Sequence, residues 1–239
     1  CAVVNGGVQC WGGNSFGALG VGDTSTRLVP TQVIPAGSGV TDVQTDRRSY
    51  STCALVNGGV QCWGLNNVGQ LGNGNTTNSL VPVQTLASGS GAMALSGSCV
   101  VRNGGVQCWG YNLNGQLGDG SAVSFSTSPV QTIAEGSGAT AVSKSSGFGC
   151  AVVSGGVRCW GYNLNGELGI PSQATSNLPV QTIPAGSGVT AVSTGDAHSC
   201  VIINGAVQCW GAGGRLGNVG GTSTVTSVRA DSTCIDAAA

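Results

Sequence analysis

Cysteine is the residue type with the most chemistry to offer in this chain, and its spacing narrows what that chemistry is. Ten of the eleven cysteines fall into pairs nine positions apart: Cys1 and Cys10, Cys53 and Cys62, Cys99 and Cys108, Cys150 and Cys159, Cys200 and Cys209. Zinc sites place ligands about two to four residues apart with a second pair close by, so this spacing argues against a metal. The segment between each pair has its own logic. In "CALVNGGVQC" two short apolar runs flank Asn57-Gly58, the favoured pair for a two-residue type I′ turn because both central residues need positive φ. Centred there, Val56 faces Gly59, Leu55 faces Val60, Ala54 faces Gln61 and Cys53 faces Cys62. The cysteines then occupy a non-hydrogen-bonded pair, where side chains approach most closely. Five disulfides follow, each closing a loop of about ten residues and contributing roughly 2–3 kcal/mol in the chain-entropy model. Buried free thiols acting as small hydrophobes are the alternative reading.

The eleventh cysteine, Cys234, aligns with the first cysteine of a sixth hairpin whose partner is absent. An odd cysteine points to an intermolecular bond or a free thiol. With Val225 and Val228 it marks the tail "STVTSVRADSTC" at 223–234 as a candidate intermolecular contact or a closing strand for the first unit.

Little else in the sequence carries chemistry. The single histidine, His198, has Asp196 and Ser199 as neighbours, but a catalytic triad is assembled in space from distant segments, and a packed loop histidine is the simpler reading. The carboxylates are dispersed. Asp23 and Asp119 sit in loops where Asp makes a turn, and no spacing brings several oxygens together for calcium. No catalytic, cofactor or metal site is expected. Asn75-Thr76-Thr77 is an N-glycosylation sequon, relevant only in a eukaryotic secretory host. Net charge is −1 and the eight Lys and Arg are scattered apart from Arg47-Arg48, which argues against nucleic acid. No apolar run reaches the length of a membrane helix.

The elements that position these cysteines recur with a period near fifty. The first cysteines of successive hairpins are 52, 46, 51 and 50 residues apart, which marks an array of supersecondary units. Units begin near 1, 53, 99, 150 and 200 in a single repeat domain spanning 1–239, with 222–239 read as a closing or exchanged strand. Each hairpin ends in Trp-Gly (Trp11, Trp63, Trp109, Trp160, Trp210). A glycine-rich loop follows, then a strand carrying "PVQT" and a strand such as "VTAVS" at 189–193. Glycine occurs 43 times, and charged residues make up 7 % against a typical value of about 25 %. Short β-branched runs with glycine punctuation predict an all-β, propeller-type array of about five four-stranded blades, each with a disulfide-stapled hairpin.

The pattern Cys-Ala-Leu … Gly-Gly-Val … Trp-Gly-x-Asn-x-x-Gly-Gln-Leu-Gly, clearest at 53–72 and 99–118, resembles the regulator of chromosome condensation repeat. The resemblance implies a β-propeller, usually of seven blades of about fifty residues. It implies little about activity, since family roles run from nucleotide exchange on a small GTPase to inhibition of β-lactamases. Five hairpins rather than seven, the cysteine pairs and a shortened last interval set this chain apart.

In-register cysteines point to an oxidising compartment, extracellular or cell-surface, and a start at Cys1 without Met to a removed signal peptide or missing upstream sequence. The expected role is a non-enzymatic scaffold and self-assembling extracellular subunit without cofactor, whose partner is protein, foremost itself as homo-oligomer or filament. The alternatives are a monomeric inhibitor-like protein-binding module using loops 44–52 and 121–128, and a multivalent carbohydrate-binding propeller. Tyr111 and Tyr162, in equivalent loops, are the candidate partner-facing aromatics. The five tryptophans are read first as packing between blades and second as sugar platforms.

Overall fold

The type I′ turn and the cystine together fix the register from which the rest of the fold grows. In the computed structural model, Asn57 and Gly58 both have positive φ (49° and 68°). Val56 pairs with Gly59, Leu55 with Val60, Ala54 with Gln61 and Cys53 with Cys62. Ser154, which replaces Asn in the fourth hairpin, adopts φ 50° as well. All five cystines form within their hairpins, with Cα–Cα separations of 4.0–4.1 Å, at the close end expected of a non-hydrogen-bonded pair. The structure describes residues 1–46, 50–172 and 174–212, and the backbone of Thr226–Ser227.

Five antiparallel sheets result, with no α-helix among the described residues. The first has three strands, β1 (Ala2–Val4), β2 (Gly7–Gly12) and β3 (Arg27–Ile34), its hairpin beginning at the first residue. The second orders β4 (Val40–Asp46), β5 (Ser51–Val56), β6 (Gly59–Gly64) and β7 (Ser79–Leu86). The third is β8 (Ala92–Ser96), β9 (Cys99–Arg102), β10 (Gly105–Tyr111) and β11 (Phe125–Ile133). The fourth is β12 (Ala139–Lys144), β13 (Phe148–Val153), β14 (Gly156–Gly161) and β15 (Ser176–Ile183). The fifth is β16 (Val189–Thr194), β17 (His198–Ile203), β18 (Ala206–Gly211) and β19 (Thr226–Ser227).

The strand that closes each sequence repeat, "VTAVS" and its counterparts, pairs with the hairpin that follows it. The Gly-Ser-Gly link folds back onto its own hairpin turn, Gly37 N donating to Asn5 O and Val40 N to Gly6 O, and then enters the next sheet. Two residues of the tail are described. Thr226–Ser227 pair with Cys209 and Gln208 of β18, the position that "PVQT" fills against β14, so these two residues complete the fifth sheet. Val225, Val228 and Cys234 lie outside the described residues, as do Arg47 and Arg48.

The sheets stack face to face. The hairpin strands β5 and β13 are buried at every residue, because both of their faces are covered. One apolar cluster fills each of the four seams between consecutive sheets. Along β6, Val60 and Cys62 join the seam to the third sheet, while Trp63 points through the opposite face into the seam to the first, as strand alternation requires.

Candidate functional site at the seam between units

The first four loops following Trp-Gly are each organised by an asparagine three residues after the tryptophan. Asn66 Oδ1 accepts from Leu71 N (2.9 Å), and its Nδ2 donates to the carbonyls of Asn75 and Thr77 (both 3.0 Å). Asn112 repeats this with Leu117 N (2.9 Å) and Val123 O (2.9 Å). Asn14 and Asn163 accept from Leu19 N and Leu168 N in the same way, both at 2.8 Å. All four are buried, so each amide meets an obligation of the loop backbone that water would otherwise meet. Asn112→Ala leaves the Leu117 N–H and the Val123 carbonyl without partners. A loss of about 2–4 kcal/mol is expected, read as a lowered urea midpoint.

The loop so shaped presents Gly-x-Leu-Gly to the next sheet. The carbonyl of residue x receives the next tryptophan's indole N–H: Ala18 O from Trp63 Nε1 (3.0 Å), Gln70 O from Trp109 (2.9 Å), Gln116 O from Trp160 (3.0 Å) and Glu167 O from Trp210 (2.8 Å). The leucines Leu71, Leu117 and Leu168 are fully buried. The closing glycine has positive φ, and the ring lies directly on it: a methyl group on Gly118 would sit 2.7 Å from Trp160 Cδ1. Farther out, Gly22 N, Gly74 N and Gly120 N donate to Leu80 O, Thr127 O and Asn177 O across the seam, each at 2.8 Å. In the fourth loop Pro171 stands at that position and has no N–H to give.

Among the described residues, no loop of this kind lies against the tryptophan of the first sheet. Trp11 is 45 % exposed where the other four tryptophans are at most 1 % exposed, and Leu28 is 91 % exposed where its counterpart Leu80 lies over Gly17.

The other expected site residues are placed as follows. Ser199 Oγ is buried and donates to Glu167 O (2.9 Å), so it is committed to the seam and not poised as a nucleophile. His198 opens β17 with its ring against Gly195. Among the described residues no three His, Cys, Asp or Glu side chains converge to hold a metal. The hydrogen bond from Arg27, with those from Ser25 N and Asn14, holds the Asp23 carboxyl below its ordinary pKa. Asp23 therefore favours the fold at neutral pH and loses that contribution as the pH falls through its lowered pKa. Tyr111 is 40 % exposed, opposite Phe125 at the end of β10. Tyr162 packs against the fourth seam beside Phe148 and Trp210. The two tyrosines, equivalent in sequence, therefore stand in different surroundings. The asparagine hub and the acceptor role of residue x were not anticipated. Their visible signal is the Asn-x-x-Gly-x-Leu-Gly spacing after each of four tryptophans.

Three comparisons bear on this geometry. The model of the regulator of chromosome condensation (RCC1) repeat matches residues 5–45, 57–99 and 154–202. The ultraviolet-B receptor UVR8 of Arabidopsis thaliana is 37 % identical over 93 residues, which is 38 % of this chain and 21 % of that protein. Among solved structures, human WBSCR16 superposes with a TM-score of 0.77 at 21 % identity, over 94 % of this chain and 63 % of its own. Prp20p of Saccharomyces cerevisiae gives 0.76 at 19 % identity, over 96 % of this chain and 60 % of its own. The chain thus spans about three fifths of these two structures and about a fifth of the plant relative. With three stretches that together exceed half its length matching the repeat model, and its five stacked sheets following known propellers, the chain belongs to the regulator of chromosome condensation repeat family.

Proposed function

We propose that this chain is a non-enzymatic propeller scaffold of an oxidising compartment, extracellular or cell-surface, that binds protein and foremost other copies of itself. The five cystines support the compartment, since cytosolic thiols are kept reduced. Protein binding is in keeping with Prp20p, whose reported structure is accompanied by its binding properties to Gsp1p and histones. The observation that carries self-association is the exposure of Trp11 and Leu28 on the first sheet, since large apolar side chains exposed near one another mark an interaction surface. A net charge of −1 offers little repulsion between copies. Light scattering over a concentration series, with and without reductant, tests the reading. Mass that grows with concentration is expected, and a monomer throughout sinks it.

A second reading, a loop-facing protein-binding module, draws on one observation. Phe16 and Tyr50 stack edge to face at 5.6 Å on the surface, both at positive φ (60° and 48°), a conformation bulky residues rarely adopt. The sugar-binding reading has lost its platform, because four of the five indoles are buried with their N–H groups already used.

A further inference from the structure

We infer that the segment 13–20 between β2 and β3 is a latch that lifts from the first seam while the rest of the fold stays closed, uncovering Thr52 and Trp63. Three of the four described loops share two braces that the first lacks. In those three the side chain of residue x reaches back to the backbone N–H two residues earlier. Gln70 Oε1 accepts from Val68 N (2.9 Å), Gln116 Oε1 from Asn114 N (2.8 Å) and Glu167 Oε2 from Asn165 N (2.9 Å). In the same three a threonine of the outer strand donates to the carbonyl of the buried leucine. Thr85 reaches Leu71 O (2.6 Å), Thr132 reaches Leu117 O (2.6 Å) and Thr182 reaches Leu168 O (2.7 Å). The first unit carries Ala18 and Val33 at these two places, and neither side chain has a donor or an acceptor. The hub asparagine, Asn14, is the brace the first loop keeps.

An aromatic contact stands in for the missing braces. Phe16 is the only one of the four equivalent residues, with Val68, Asn114 and Asn165, that has positive φ, and its ring meets Tyr50 of the next unit edge to face. Tyr50 O accepts from Leu65 N (3.0 Å), as Gly147 O and Ala197 O accept from Tyr162 N (3.0 Å) and Ala212 N (2.8 Å). Of these three acceptors Tyr50 alone has positive φ. Two bulky residues held in the left-handed region cost more than one ring pair returns, and both rings are exposed. The clasp is therefore weak, and elements held by few buried contacts open at a free energy well below that of global unfolding.

What lies under the latch gives the opening a consequence. Thr52 Oγ1 and Trp63 Nε1 both donate to Ala18 O, at 2.8 and 3.0 Å, and the Trp63 ring lies on Gly20. Lifting the segment frees both donors and one edge of the indole. The first seam is thus gated, whereas the other three are locked by their own side chains. This holds whether or not the chain associates with itself.

Amide-resolved hydrogen exchange of the folded, oxidised chain tests this. Leu19, Leu71, Leu117 and Leu168 report on their loops, because each N–H is buried on its hub asparagine. Leu19 is expected to be protected about tenfold less than the other three, or weaker still. The ladder amides between β2 and β3 are expected to match those between β6 and β7. Ala18→Gln combined with Val33→Thr installs both braces and brings Leu19 to the protection of Leu71. Phe16→Ala removes the clasp and speeds Leu19 exchange severalfold further at the melting temperature of wild type, an arm independent of whether the double variant folds. Equal protection of all four leucines in wild type overturns the latch. Ladder amides between β2 and β3 that exchange as fast as Leu19 overturn it in favour of detachment of the whole first sheet. Leu19 exchange unchanged in both variants overturns the assignment of the braces and the clasp.

Discussion

Trp160→Ala is expected to cost about 4–6 kcal/mol, combining the roughly 3–5 kcal/mol of a large-to-small core truncation with an orphaned carbonyl. The same substitution at Trp11 is expected to cost less than about 1 kcal/mol, as surface changes do. The two tryptophans occupy the same place in their repeats. What separates them is the neighbour. Trp160 is fully buried in the seam between the third and fourth sheets, its Nε1 donating to Gln116 O at 3.0 Å and its ring lying on Gly118. Trp11 is 45 % exposed. Truncating Trp160 opens a void in the apolar cluster that also holds Val101, Leu117 and Val153 and leaves the Gln116 carbonyl without its indole donor. Urea unfolding followed by far-UV circular dichroism reads both effects. Equal losses at the two positions would mean that the tryptophans stabilise their own sheets and not the seams.

Complete reduction of the cystines is expected to remove on the order of 10 kcal/mol, about as much as a typical domain has in total. Each cystine closes a ten-residue loop worth about 2.7 kcal/mol in the chain-entropy model, and there are five. The folded protein should nevertheless resist mild reductant. Cys62, Cys99, Cys108, Cys150 and Cys159 are fully buried, and exchange needs a thiolate to reach the sulfur. Dithiothreitol alone should leave the spectrum unchanged for hours, whereas dithiothreitol with moderate urea should unfold the chain at concentrations that leave oxidised protein folded. Alkylation and mass spectrometry then count the freed thiols. Persistence of the native spectrum after all five are reduced would show that packing at the seams suffices.

The hairpins were legible in the sequence because two independent constraints coincide there. Asn-Gly demands a turn with two positive φ values, and the nine-residue cysteine spacing demands facing partners, so the register of Cys53 against Cys62 had one solution. Packing of the tryptophans between blades could also be read, since each lies on the strand face opposite its cysteine. Strand membership was harder. Val189–Thr194 follows one hairpin in sequence and pairs with the next, and nothing in its composition says which. The tail raises a related difficulty: "TVTSV" has the β-branched character of that strand, yet Thr226 and Ser227 sit where "PVQT" sits elsewhere. The polar part of the seam is made by carbonyls and glycines, which have no side-chain signature, and the hub asparagines are what advertise it. Tyr111 and Tyr162 occupy equivalent positions in the repeat, and their different burial comes from neighbours that one repeat alone does not reveal.

The residue whose carbonyl anchors each seam is Ala18, Gln70, Gln116 or Glu167, four side chains with little in common. A joint read from main-chain atoms is blind to the side chain of residue x, so that contact by itself does not distinguish one unit from the next. At that contact the order of the units is kept by covalent connectivity and not by recognition. Such a chain tolerates duplication or loss of a whole repeat without redesign of its neighbours. It also carries the hazard that belongs to interchangeable parts, which is that during folding any loop can seat on any vacant tryptophan until the linkers pull it to the right one.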